Sequence, residues 1–146
     1  MTEAIVTLVD GMQFVVETGS GHSFTIDSVP DAGGNDTGPR PFELLAAGLA
    51  GCTGMDVISI LRTMRQKPTG LKVHVTSERA TEHPKKFVSI HIEYTVTGYN
   101  LSEDRVARAI ELSETKYCPA MAALRPSTPI TSSYTILEAS EQTMTK

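Results

Sequence analysis

Only two cysteines, Cys52 and Cys118, occur in 146 residues. Two thiols do not make a disulfide-stapled secreted scaffold, and they fall short of a four-thiolate zinc site. Positive charge is also in short supply: 13 Lys and Arg stand against 17 Asp and Glu, a net charge of -4. No basic stripe or basic–aromatic interleaving appears, which argues against nucleic acid as a partner. The opening M-T-E-A-I-V-T-L-V-D has an acid where a secretory signal needs bases, and its apolar run is short. The most apolar stretch carries Asp56 before it offers the roughly 20 apolar residues that a bilayer crossing needs. A soluble, cytoplasmic protein with no membrane partner is therefore expected. No internal repeat or low-complexity tract breaks the chain, and its length predicts one domain over residues 1–146.

What is present is organised around Pro41–Asp56, P-F-E-L-L-A-A-G-L-A-G-C-T-G-M-D. Pro41 suits a first helical position, where its missing N–H costs nothing. Glu43 in the first turn complements the helix dipole. The apolar pattern runs on to Pro68, where a helix must stop, giving about 25 residues. Such a helix is expected to be buried on most of its circumference. Gly48, Gly51 and Gly54 each cost about 1 kcal/mol relative to Ala in a helix interior. Close approach of another backbone would offset that cost.

Strand-like runs at Ala4–Asp10, Met12–Glu17 and His22–Asp27 flank the turn signals Asp10-Gly11 and Gly19-Ser20-Gly21, which predicts a meander. Ser28–Arg40 is a loop by composition, expected to be mobile. Leu71–Arg79 and Phe87–Thr97 alternate apolar and polar residues and should pair. Ser102 is a good N-cap for a helix with Val106, Ala109, Ile110 and Ser113 on one face through Thr115. Pro119 starts a further short helix to Leu124, Thr131–Glu138 is a last strand, and Ala139–Lys146 is read as a frayed tail. The fold class is α+β. A three-stranded meander covers one side of one helix, so a second copy of the chain is expected to cover the rest: a homodimer with the Gly-rich helices close together.

Taken alone, the cysteines have two readings. They are two buried free thiols, common in cores, or a redox pair with Cys52 as nucleophile and Cys118 as resolving thiol. Sequence spacing says nothing of their distance.

P-F-E-L-L-A-A-G-L-A-G-C-T-G-M-D-V, with T-S-E-R at Glu78 and A-I-E-L-S-E-T-K-Y-C-P at Cys118, resembles the OsmC/Ohr superfamily, nearest its YhfA-type branch. The resemblance spans Ala4 to Ile136. It implies an OsmC-like fold with antiparallel sheets, two central helices and an intertwined homodimer. It implies a thiol-dependent peroxidase that reduces organic or hydrogen peroxides in oxidative-stress defence. Cys52 then corresponds to the peroxidatic cysteine and Cys118 to the resolving one. An external dithiol, in the family sometimes a lipoyl protein, returns the disulfide to thiols. The cycle needs no metal or other cofactor.

The chain departs from the family where a thiolate would be stabilised. A free thiol has a pKa near 8.5 and needs help to ionise. Cys52 lies about ten residues into its helix, beyond the N-terminal dipole. The family's early-strand arginine has no counterpart, since no arginine precedes Arg40. Its glutamate aligns with Phe42, and Glu43, one step later, is rotated to the opposite side of the helix from Cys52. Glu43 therefore reads first as an N-terminal charge. Asp56 lies four residues after Cys52 on the same face. A carboxylate there opposes thiol ionisation unless it finds a cation or donors. Arg40 and Arg125 are the candidate cations, and a structural, capping aspartate is the alternative. Glu114, one turn before Cys118, could join the same network, although a solvated position is the plainer reading. His22, His74, His83 and His91 fit polar strand and turn positions, with His74 and His91 possible neighbours, and make no metal set. Two competing functions remain: a cleft lined by Leu45, Leu49, Met55 and Met121 that holds a small apolar ligand, and a structural dimer with inert thiols.

Overall fold

In a computed structural model of the chain, residues 1–140 are described. The predicted tail falls partly outside them; within them, Ala139 is buried and donates its N–H to the Gly98 carbonyl at 2.8 Å. The chain forms two compact units that divide between Leu45 and Ala46.

The first unit is the predicted meander: β1 (Ala4–Asp10), β2 (Gln13–Thr18) and β3 (Ser23–Ile26), antiparallel in that order. Gly11, at φ +53°, closes the first turn in the left-handed region that glycine tolerates. Every residue of β1 is exposed, its apolar Ile5, Val6, Leu8 and Val9 included. The loop that follows is organised around one carboxylate. Asp27 is buried and accepts the backbone N–H groups of Ser28, Asn35 and Thr37 and the Thr37 hydroxyl, the last at 2.6 Å. These donors hold its carboxyl down at about 2, the Thr37 hydroxyl contributing most.

The Gly-rich segment folds as α1 (Glu43–Thr63). It ends before Pro68, at Arg65 in the left-handed conformation: Gln66 N–H reaches the Leu61 carbonyl and Arg65 N–H the Arg62 carbonyl, the pairing of a Schellman cap. Leu49, Thr53, Val57 and Leu61 are its buried residues, a stripe at four-residue spacing. Leu49, Val57 and Leu61 each contribute about 1.5–3 kcal/mol by burial. This chain therefore covers one narrow stripe of α1, not most of its circumference. By length and composition alone α1 is apolar enough to cross a membrane, Asp56 included. The core helix of a soluble protein satisfies the same condition.

β4 (Lys67–Arg79) and β5 (Phe87–Tyr99) form a long antiparallel hairpin, and β6 (Ile130–Glu138) pairs with β5 in parallel. The sheet is thus mixed, with β5 central. Pro68 enters β4 because β4 is an edge strand and the ladder bulges between Pro68 and Gly70. The buried face of β5 carries Ile90, Ile92, Tyr94 and Val96. A parallel return needs a crossover. It is supplied by α2 (Glu103–Leu112), a π-helical turn at Ser113–Tyr117 and α3 (Pro119–Leu124). Ser102 caps α2 as predicted, accepting the Arg105 N–H at 3.4 Å.

Candidate functional site: two thiols above a buried hydroxyl chain

Cys52 projects from the middle of α1, half-buried, and Cys118 lies buried between the π-turn and α3; both are free thiols. The local sequence sets the Cys118 side chain. Its backbone N–H reaches back five residues to the Ser113 carbonyl at 2.8 Å, closing the π-turn. Pro119 then starts α3, and the Cys118 sulfur serves as its N-cap, accepting the Met121 N–H at 3.4 Å. The two thiols are close enough for each to influence the other's ionisation. Burial pushes the Cys118 thiol up to about 11, against the Met121 N–H, and the contact with Cys52 raises it further. Cys118 thus keeps its proton at neutral pH and has an S–H to offer the Cys52 sulfur.

Beneath the thiols runs a chain of polar groups. The Thr53 hydroxyl, fully buried, contacts the Tyr94 hydroxyl at 2.8 Å and the Ser113 hydroxyl at 2.7 Å. Ser113 Oγ is 3.0 Å from Asp56 Oδ2. The Tyr94 hydroxyl donates to Glu114 Oε2 at 2.8 Å, and Ser132 donates to Glu114 Oε1 at 3.1 Å. Burial holds the Tyr94 phenol well above the ordinary tyrosine range, so it stays protonated.

The supporting residues named from the sequence fall in different places. Asp56 meets the Ser113 hydroxyl and not a cation. Arg40 is held by Asp36 at 2.7 Å and by the Gly38 carbonyl at 2.9 Å. Glu43 is exposed in the first turn of α1. Glu114 is not simply solvated, because it terminates the hydroxyl chain. Arg125 lines a cavity of about 300 Å³ with Glu114, Lys116 and Cys118. His74 and His91 do not pair directly: His74 stands opposite Glu93, and His91 bonds Thr131 and Ser133 of β6. Among the described residues no His, Cys, Asp and Glu group of three or more is placed to hold a metal ion. Leu49 and Met121 are fully buried core residues, so they line no cleft; Met55 lines an open groove of about 940 Å³ between α1 and β4 with Gly51, Gly54, Leu71 and Val73.

Thr53 and Tyr94 escaped the sequence reading, and Ser113 entered it only as a helix-face position. One signal was available: a tyrosine in the buried phase of an apolar alternating strand needs a partner for its hydroxyl.

The profile of the OsmC-like protein family matches residues 33–133. Over 137 residues the chain is 37% identical to Protein YhfA of Escherichia coli (strain K12), covering 94% of this chain and 99% of that one. A hypothetical protein from Aquifex aeolicus VF5 superposes with a TM-score of 0.84 at 28% identity, over 96% of this chain and 98% of that one. An organic hydroperoxide resistance protein OsmC from Legionella pneumophila shares the fold, with a TM-score of 0.67 at 18% identity over 92% and 96% of the two chains.

Proposed function

This chain belongs to the OsmC-like family, and on that premise we propose that it is a thiol-dependent peroxidase acting on organic hydroperoxides through Cys52 and Cys118. The observation that carries the reading is the proximity of the two thiols: they come from segments far apart in sequence and meet as reduced neighbours.

In the proposed cycle a thiolate at Cys52 attacks one peroxide oxygen. The S–O bond forms as the O–O bond breaks, and the departing alkoxide takes a proton to become the alcohol. The Cys118 thiol then condenses with the sulfenic acid, forming the S–S bond and releasing water. An external dithiol restores both thiols by exchange and is itself oxidised to a disulfide. The Cys118 S–H, beside the Cys52 sulfur, is a donor able to stabilise negative charge there. It takes the place of the early-strand arginine that this chain lacks.

The same reading includes a cytoplasmic homodimer that works as one domain per chain. Its support is the uncovered remainder of α1: Met55 is 78% exposed, and a Cβ built at Gly48 or Gly51 would meet nothing within 4 Å. A second copy packed along this face would explain glycines that this chain alone does not require. The groove beside Met55 also keeps the apolar-ligand reading in play as the alternative. Oxidation of the reduced protein by cumene hydroperoxide, followed by mass mapping of the thiols, separates the two: a ligand-binding dimer forms no rapid Cys52–Cys118 disulfide.

A further inference from the structure

The hydroxyl chain beneath the thiols has a hydrogen count that does not close. Four contacts link Asp56, Ser113, Thr53, Tyr94 and Glu114 in series, at 3.0, 2.7, 2.8 and 2.8 Å. Each contact needs one hydrogen between its oxygens. Serine, threonine and tyrosine hydroxyls carry one each, and an ionised carboxylate carries none. With both carboxylates ionised, three hydrogens serve four contacts. If Tyr94 donates to Glu114 and Ser113 to Asp56, Thr53 can donate to only one of its two neighbours. The other contact would set two oxygen lone pairs face to face in the core, where an unsatisfied polar group costs about 1–3 kcal/mol.

One added proton closes the count. We propose that the chain holds that proton on Asp56, so that hydrogen bonds run in one direction from Asp56 through Ser113, Thr53 and Tyr94 to an ionised Glu114. The groups around it favour this polarity. Glu114 shares its cavity with the cations Lys116 and Arg125 and with the Cys118 thiol, and it accepts a further hydrogen bond from Ser132 of β6. α1 contributes Cys52, one turn before Asp56, and β5 contributes the Tyr94 phenol. No cation is paired with Asp56 among the described residues.

A chain of this kind is a relay. Shifting each hydrogen by one contact carries a proton from Asp56 to Glu114 and reverses every bond, with no heavy atom displaced. This role rests on the peroxidase reading: the alkoxide released by peroxide cleavage takes the proton delivered at Glu114, and Asp56, half-buried, regains one from solvent. Asp56, Thr53 and Ser113 act through other groups and are positioning residues.

The test needs no peroxide, so it can fail separately from the peroxidase reading. Infrared spectra of the reduced protein at neutral pH should contain the C=O stretch of one protonated carboxyl group that shifts in D2O. Asp56→Asn should abolish it, because the amide supplies the missing hydrogen. Thr53→Val should abolish it too, although no carboxyl group is altered, because the two remaining contacts need only the hydrogens of Ser113 and Tyr94. Absence of the band in the wild-type protein, or its survival in either variant, overturns the proposal. Should Thr53→Val fail to fold, Asp56→Asn still decides.

Discussion

Cys118 donates its backbone N–H to the carbonyl of Ser113, not to that of Glu114, at 2.8 Å. The extra residue in that turn lets Ser113 and Glu114 enter the same polar chain from opposite ends while Cys118 remains beside Cys52. Backbone geometry in one π-turn thus ties the thiols to the hydroxyls under them.

Thr53 is the centre of that chain. Thr53→Val keeps the side-chain volume and removes two buried contacts, and the account predicts a loss of about 1–3 kcal/mol in denaturant unfolding. Thr63, whose hydroxyl bonds the exposed Ser59 carbonyl, is the control: Thr63→Val should change stability by less than about 0.5 kcal/mol.

Cys118 should resist alkylation. With its thiol pushed up to about 11 by burial, iodoacetamide labelling at Cys118 should be slow at neutral pH and rise only toward that value, as read by mass mapping against pH. The folded-state value lies above the ordinary 9.0, so the folded protein holds the proton longer than the unfolded chain. The corresponding stability is present below about 9 and is lost as pH rises toward about 11. Cys118→Ala should remove that alkaline loss.

Asp27 works at the other end of the scale. Its carboxyl falls from 3.8 to about 2 on folding, so the stability it contributes is present above 3.8 and is lost as pH falls toward 2. Acid unfolding of Asp27→Asn should be flatter across that window than that of the wild-type protein. Equal slopes would remove Asp27 from the account of the loop.

Gly51 tests the proposed dimer. Leucine is the better helix former by nearly 1 kcal/mol, and nothing within this chain obstructs a Cβ at this position. Gly51→Leu should therefore leave the protomer folded and shift sedimentation toward monomer. A dimer of undiminished affinity would place the partner elsewhere.

Much of the fold was legible in local chemistry. Gly11 marked the first hairpin, Ser102 the start of α2 and Pro119 the start of α3, because caps and turns depend on neighbouring residues. The parallel pairing of β6 was not legible, since strand direction is settled by contacts distant in sequence. The end of α1 was misplaced because Arg65 takes a left-handed position usually held by glycine. Cys52 and Cys118 were named through the family resemblance, but their contact needed the folded chain. The contact of Thr53 with Tyr94 and Ser113 remained unseen because they lie 41 and 60 residues from it and share no motif with it.

The most direct test titrates the fully reduced protein with cumene hydroperoxide and follows both thiols by mass. The account predicts that each chain loses two thiols and gains one Cys52–Cys118 disulfide, and that Cys52→Ser consumes no peroxide. A Cys52→Ser protein that consumes peroxide at the wild-type rate would contradict it.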